Sequence, residues 1–80
     1  MAQNANIFGQ RLALLRKEKA YSMAELAKLI GCSSSLISDY ENGKKEPGLT
    51  NILKLSQVLG ESTDYLCGTT EYRKLKKIAE

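Results

Sequence analysis

The sequence predicts an all-α fold of four or five short helices with an appended amphipathic tail. Three observations predict it. Apolar residues recur at three- and four-residue steps in successive windows of about eight to fourteen residues. Each window is bracketed by a capping residue or a glycine. No run alternates apolar and polar residues over a useful length, and no segment repeats.

The first helix is expected from about Asn6 to Lys19. Ile7 or Phe8, Leu12 and Leu15, with Leu14 beside them, form its apolar side, and Gln10, Arg11, Arg16 and Lys17 its polar side. Asn4 or Asn6 is the candidate cap, and Tyr21-Ser22 is the break. Ser22-Met-Ala-Glu25 matches the capping box, in which two side chains satisfy each other's orphan backbone donors. A second helix should therefore run from Met23 to Ile30, burying Leu26, Ala27 and Ile30. Gly31 ends it, because glycine takes the left-handed conformation at least cost. Ser33-Ser34-Ser35 offers capping hydroxyls for a third helix, Ser34 to Glu41, with Ile37 and Tyr40 on one face. Asn42-Gly43 stops it, and Lys44 to Gly48 is a polar loop. The fourth helix, Leu49 to Leu59, is apolar at Ile52, Leu55, Val58 and Leu59 and ends at Gly60. Ser62 caps a short fifth, Thr63 to Leu66 or Cys67, closed by Gly68. Thr70 is the candidate cap of a tail segment in which Tyr72, Leu75 and Ile78 or Ala79 share a face.

Composition bounds the function. Eighty residues, 42% hydrophobic and 26% charged, fit one small domain over residues 1–68, followed by the tail at 69–80. No apolar run approaches the roughly 20 residues needed to cross a bilayer. The N-terminal MAQNANIFGQ lacks the charged and greasy regions of a secretory signal, so a cytoplasmic location is expected. Two cysteines and no histidine make neither a disulfide framework nor a zinc site. Cys32 and Cys67 are expected to be reduced and to pack as small hydrophobes. The lack of histidine also removes Ser-His-Asp and Cys-His catalysis, and no Walker loop or GxGxxG fingerprint is present. The expectation is no enzyme, no catalytic residue, no cofactor, no metal and no small-molecule ligand. Net charge is +3. Residues 1–68 carry eight Lys/Arg against seven Asp/Glu, and residues 69–80 carry four against two, so any polyanion site must be a local cluster.

The informative stretch is Met23 to Asn42. Two helices of about eight residues joined by a glycine-bearing turn are what a helix-turn-helix needs, with the second helix free to project. Ala27 is small where the two backbones would approach, Gly31 supplies the turn, and Leu26, Ile30, Ile37 and Tyr40 supply the inner faces. An ordinary helical hairpin would share this spacing.

From about Phe8 to Gly68 the chain resembles the lambda/434 repressor and Cro family, the XRE-type helix-turn-helix domains. The matching pieces are Arg11-Leu12 and Leu15-Arg16, Ser22 to Ala27, Gly31, Ser33, and Ile37-Ser38. Tyr40 to Lys44, Pro47, Leu55-Ser56, Leu59-Gly60, Ser62 to Leu66 and Gly68 follow in family order. The resemblance implies a compact five-helix DNA-binding domain that works as a homodimer on palindromic double-stranded DNA.

The same resemblance assigns roles. Ser34, Ser35, Ser38 and Asp39 would face base edges, the N-terminal end of the third helix entering the major groove. Serine hydroxyls donate and accept, so they read bases with little discrimination, and water and DNA shape would carry more. One serine of the run should be taken up by N-capping. Asp39 has three open roles: accepting from a cytosine amine, pairing with a nearby lysine, or lying on a solvated flank. Phosphate anchors would be Ser33, the backbone N–H groups near Met23, those near Asn42 and Gly43, and the side chains of Asn42, Lys44 and Lys45. Met23 departs from the glutamine common there and lacks its side-chain contact. Arg16 resembles the family arginine that meets the acid ending the reading helix, here Glu41, and could also touch a phosphate. Ala27, Gly31, Ile37 and Glu41 would be structural. Leu36 is expected to be exposed on the third helix, either touching a thymine methyl or packing at the periphery. The tail stripe could dimerise, fray, or lead to a regulatory domain. The function implied is a transcriptional regulator, a repressor acting by occupancy; the alternative is an antitoxin-like or inhibitor module that binds protein instead.

Overall fold

The computed structural model describes residues 6–69. Expectations placed on Asn4, Thr70 and the tail stripe lie outside the described residues. Five helices follow one another: α1 (Ile7–Glu18), α2 (Met23–Ile30), α3 (Ser34–Glu41), α4 (Leu49–Leu59) and α5 (Thr63–Cys67). α2, α3 and α4 have the bounds that their caps and glycines set. α1 stops one residue earlier than expected, and for a reason the letters hide. Ala20 takes the left-handed conformation at φ 62°, the one non-glycine residue among those described to do so. Its N–H donates to the Lys17 carbonyl at 3.0 Å and that of Tyr21 to the Arg16 carbonyl at 3.1 Å. This is the closure that glycine usually makes.

α1 packs on α3 and α5, α2 on α3 and α4, and α4 on α5. The shared core is Leu12, Leu15, Leu26, Ala27, Ile30, Ile37, Tyr40, Ile52, Leu55, Leu59, Tyr65 and Leu66. Each fully buried leucine or isoleucine contributes about 1.5–3 kcal/mol. Three expectations need correction. Leu14 is 44% exposed, because Leu12 and Leu15 already fill the inner side of α1. Val58 only flanks the core. Asn6 makes no side-chain cap for α1.

α5 has five residues, too few to be stable alone. Its attachment is tertiary: the Arg11 guanidinium lies 4.1 Å above the Tyr65 ring and donates through Nη1 to the Tyr65 carbonyl at 2.6 Å. Tyr40 ties α3 to two neighbours, meeting Phe8 edge-on at 5.8 Å and accepting at its hydroxyl from Asn51 Nδ2 at 3.0 Å. α3 is thus seated by α1 and α4 as well as by its partner in the elbow.

Candidate nucleic-acid interface

The elbow is made by local bonds. Ser22 Oγ accepts from the Glu25 N–H at 3.0 Å, and Glu25 Oε1 accepts from the Ser22 N–H at 2.7 Å, a complete capping box. At the other end of α2, Gly31 has φ 79°, and a Cβ there would touch nothing within 4 Å. The glycine is therefore needed for its backbone angle, not for space. The Cys32 N–H donates to the Ala27 carbonyl at 2.9 Å. A side chain from α4 completes the end, Lys54 Nζ donating to the Ile30 carbonyl at 3.4 Å. Ala27 is buried where α2 meets its neighbours.

The serine run divides its work. Ser33 is the N-cap, its hydroxyl oxygen accepting from the Leu36 N–H at 3.1 Å. Ser34 and Ser35 are exposed on the first turn of α3. Ser38 and Asp39 are half-buried. Ser38 is further engaged: Asn42 Nδ2 donates to its carbonyl at 3.0 Å and its hydroxyl at 3.3 Å. Asp39 lies 3.8 Å from Lys45 Nζ, so of its three open roles the lysine pair is the one formed in the unbound chain. Ile37 and Tyr40 face the core. Leu36 is half-buried against that core, the peripheral packing that was its alternative to a thymine methyl.

The far end of α3 closes differently from expectation. The N–H groups of Asn42, Gly43 and Lys44 donate to the carbonyls of Ser38, Tyr40 and Asp39 at 3.0, 3.2 and 2.8 Å. The backbone donors of Asn42 and Gly43, and the amide of Asn42, thus have partners on the helix in the unbound chain. What this loop does offer are the exposed side chains of Lys44 and Lys45. At α2, by contrast, the capping box takes the N–H groups of Ser22 and Glu25, and those of Met23 and Ala24 open the helix, where the dipole favours an anion. The Met23 side chain itself is packed against the core.

Arg16 and Glu41 form the expected pair. Arg16 Nε and Nη2 donate to Glu41 Oε2 and Oε1 at 2.6 and 3.1 Å, and Nη1 donates to the Tyr21 carbonyl at 2.9 Å. Both side chains are at least nine-tenths buried. The Glu41 hydrogen bond raises the Arg16 pKa, with burial acting in the opposite sense, so the guanidinium stays charged. Three of the five guanidinium N–H donors are thus committed within the chain.

Sequence patterns gave no sign of three further contacts: Asn6 Nδ2 donating to the Glu41 carbonyl at 3.3 Å, Gly9 lying beneath the end of α3, and Lys54 on Ile30. Cys32 packs at the core edge as expected, and burial pushes its thiol up. Cys67 is instead exposed. It borders an open groove of about 530 Å³ among Ile7, Phe8, Tyr40, Pro47 and Leu49. Among the described residues no group of His, Cys, Asp and Glu is placed to hold a metal, and no helix is long and apolar enough to cross a membrane.

Known proteins share this arrangement. A family model described as helix-turn-helix matches residues 12–66. The SPbeta prophage-derived HTH-type transcriptional regulator YonR of Bacillus subtilis is 43% identical over 60 residues, covering 75% of this chain and 56% of that protein. The crystal structure of the P22 c2 repressor with a synthetic operator superposes with a TM-score of 0.76 at 36% identity, covering 79% of this chain and 96% of that one. The N-terminal DNA binding domain of SinR from Bacillus subtilis superposes with a TM-score of 0.71 at 37% identity, covering 76% and 90%. The chain spans about half the length of the curated relatives it matches.

Proposed function

The chain belongs to the helix-turn-helix family, and from that premise we propose that it is a sequence-selective double-stranded-DNA-binding transcriptional regulator. The observation that carries the proposal is the outward first turn of α3, where Ser34 and Ser35 are exposed while Ile37 and Tyr40 hold the helix from below. An α-helix presented this way enters a major groove with its N-terminal residues toward the bases. Ser34 and Ser35 read base edges, with Ser38 and Asp39 behind them. The N–H groups opening α2 at Met23, the start of α3 at Ser33, and the Lys44 and Lys45 side chains hold phosphates on either side. Regulation follows by occupancy: a homodimer covers a palindromic operator and excludes polymerase. No catalytic step and no cofactor enter.

Selection of bound sequences from a random duplex pool tests this. The expected result is a dyad-symmetric consensus, with affinity falling log-linearly with salt by about 0.9 decades per decade for each phosphate neutralised. No consensus and no salt term would turn the interpretation toward a protein-binding module of the same fold.

A further inference from the structure

We propose that Asn6 is a positioning residue for the reading helix: its amide, seated between two glycines, closes the last carbonyl of α3 and fixes where that helix sits. This rests on α3 being the DNA-reading element.

A helix leaves its last four carbonyls without intrahelical donors. In α3 these belong to Ser38, Asp39, Tyr40 and Glu41. The first three are closed from the next residues along the chain, by the N–H groups of Asn42, Lys44 and Gly43. The fourth, that of Glu41, accepts instead from Asn6 Nδ2, 35 residues upstream at the threshold of α1. The space for this amide is made by missing side chains. A Cβ on Gly43 would stand 2.9 Å from Asn6 Oδ1. One on Gly9 would collide with the same atom and stand 2.5 Å from the Tyr40 carbonyl oxygen and 2.7 Å from that of Glu41. No real Cβ approaches backbone that closely, so any side chain at Gly9 forces α1 and the end of α3 apart.

A single neutral, part-buried hydrogen bond of 3.3 Å adds little net stability. Its effect is on place. With Arg16 holding the Glu41 carboxylate, α1 grips the same residue by backbone and by side chain. Eight helical residues span about 12 Å, so a tilt of about 5° at this grip moves the Ser34 end by about 1 Å. Hydrogen bonds to base edges tolerate only a few tenths of an ångström of that.

The test compares the full chain with Asn6→Ala and Asn6→Asp, the latter keeping the shape and removing the donor. The measurement is the ratio of affinities for the selected duplex and an unrelated duplex of equal length at one salt concentration, with the salt slope and Tm alongside. The expected result in both variants is a ratio lowered about three- to tenfold, with the slope unchanged and little loss of Tm. Gly9→Ala should lower it further; if that variant does not fold, the two Asn6 variants decide. A ratio kept intact in both overturns the proposal alone. A wild-type chain with no preference between the duplexes overturns the function on which it rests, and the proposal with it.

Discussion

The two ends of α3 are held in different ways. Its first turn is closed by its own neighbour, Ser33 accepting from Leu36, and beyond that Ser34 and Ser35 meet solvent. Its last turn is held from elsewhere: Arg16 takes the Glu41 carboxylate, Asn6 the Glu41 carbonyl, and Phe8 and Asn51 the Tyr40 ring and hydroxyl. Ile37 and the elbow seat the helix from below, and its long-range polar anchors all lie at one end. A surface meant to contact another molecule must keep its polar groups uncommitted, and that leaves orientation to be set at the end away from the contact.

This contrast gives unequal expectations for the two ends. Arg16→Ala should destabilise the fold by about 3 kcal/mol, because it leaves the Glu41 carboxylate buried without its counter-charge; urea unfolding measures it. Arg16→Lys should recover only part of that loss, since an ammonium cannot make the forked pair. If Arg16→Ala unfolds at the wild-type midpoint, the fixed end is not fixed by this pair. Ser33→Ala, at the free end, should cost about 1 kcal/mol, the value of one N-cap. It should also weaken binding to the selected DNA, because the turn that frays carries Ser34 and Ser35. Ala20→Gly lies away from both ends and should raise stability by about 0.5–1 kcal/mol by relieving the left-handed alanine. A lower Tm in that variant would contradict the φ assigned to Ala20. Asp39→Asn should change stability by under about 0.5 kcal/mol, since its partner Lys45 is largely exposed. A repeated pool selection with this variant asks whether Asp39 leaves Lys45 for a base: an unaltered consensus means that it does not.

How much of this was legible follows from the range of each interaction. Ser22 and Glu25 make a capping box across three residues, and both are visible as a four-letter pattern. Gly31 marks the turn for the same reason. Arg16–Glu41 spans 25 residues and was legible only through resemblance to a family. Within the serine run, the letters assigned one residue to capping but not which one; the β-region backbone of Ser33 decided it. Leu14 was misplaced because periodicity ranks the sides of a helix without saying how far neighbours wrap around it.

The sequence by itself determined the helices and their stops, since caps, stops and apolar periods act over three to five residues and are written contiguously; the outward serines were legible only through the family resemblance. The tertiary structure alone decided what holds α3 in place. Asn6 to Glu41, Lys54 to Ile30 and Arg11 to Tyr65 lie 35, 24 and 54 residues apart. Polar side chains at such separations carry no local signal: their partners exist only once the core has brought the helices together.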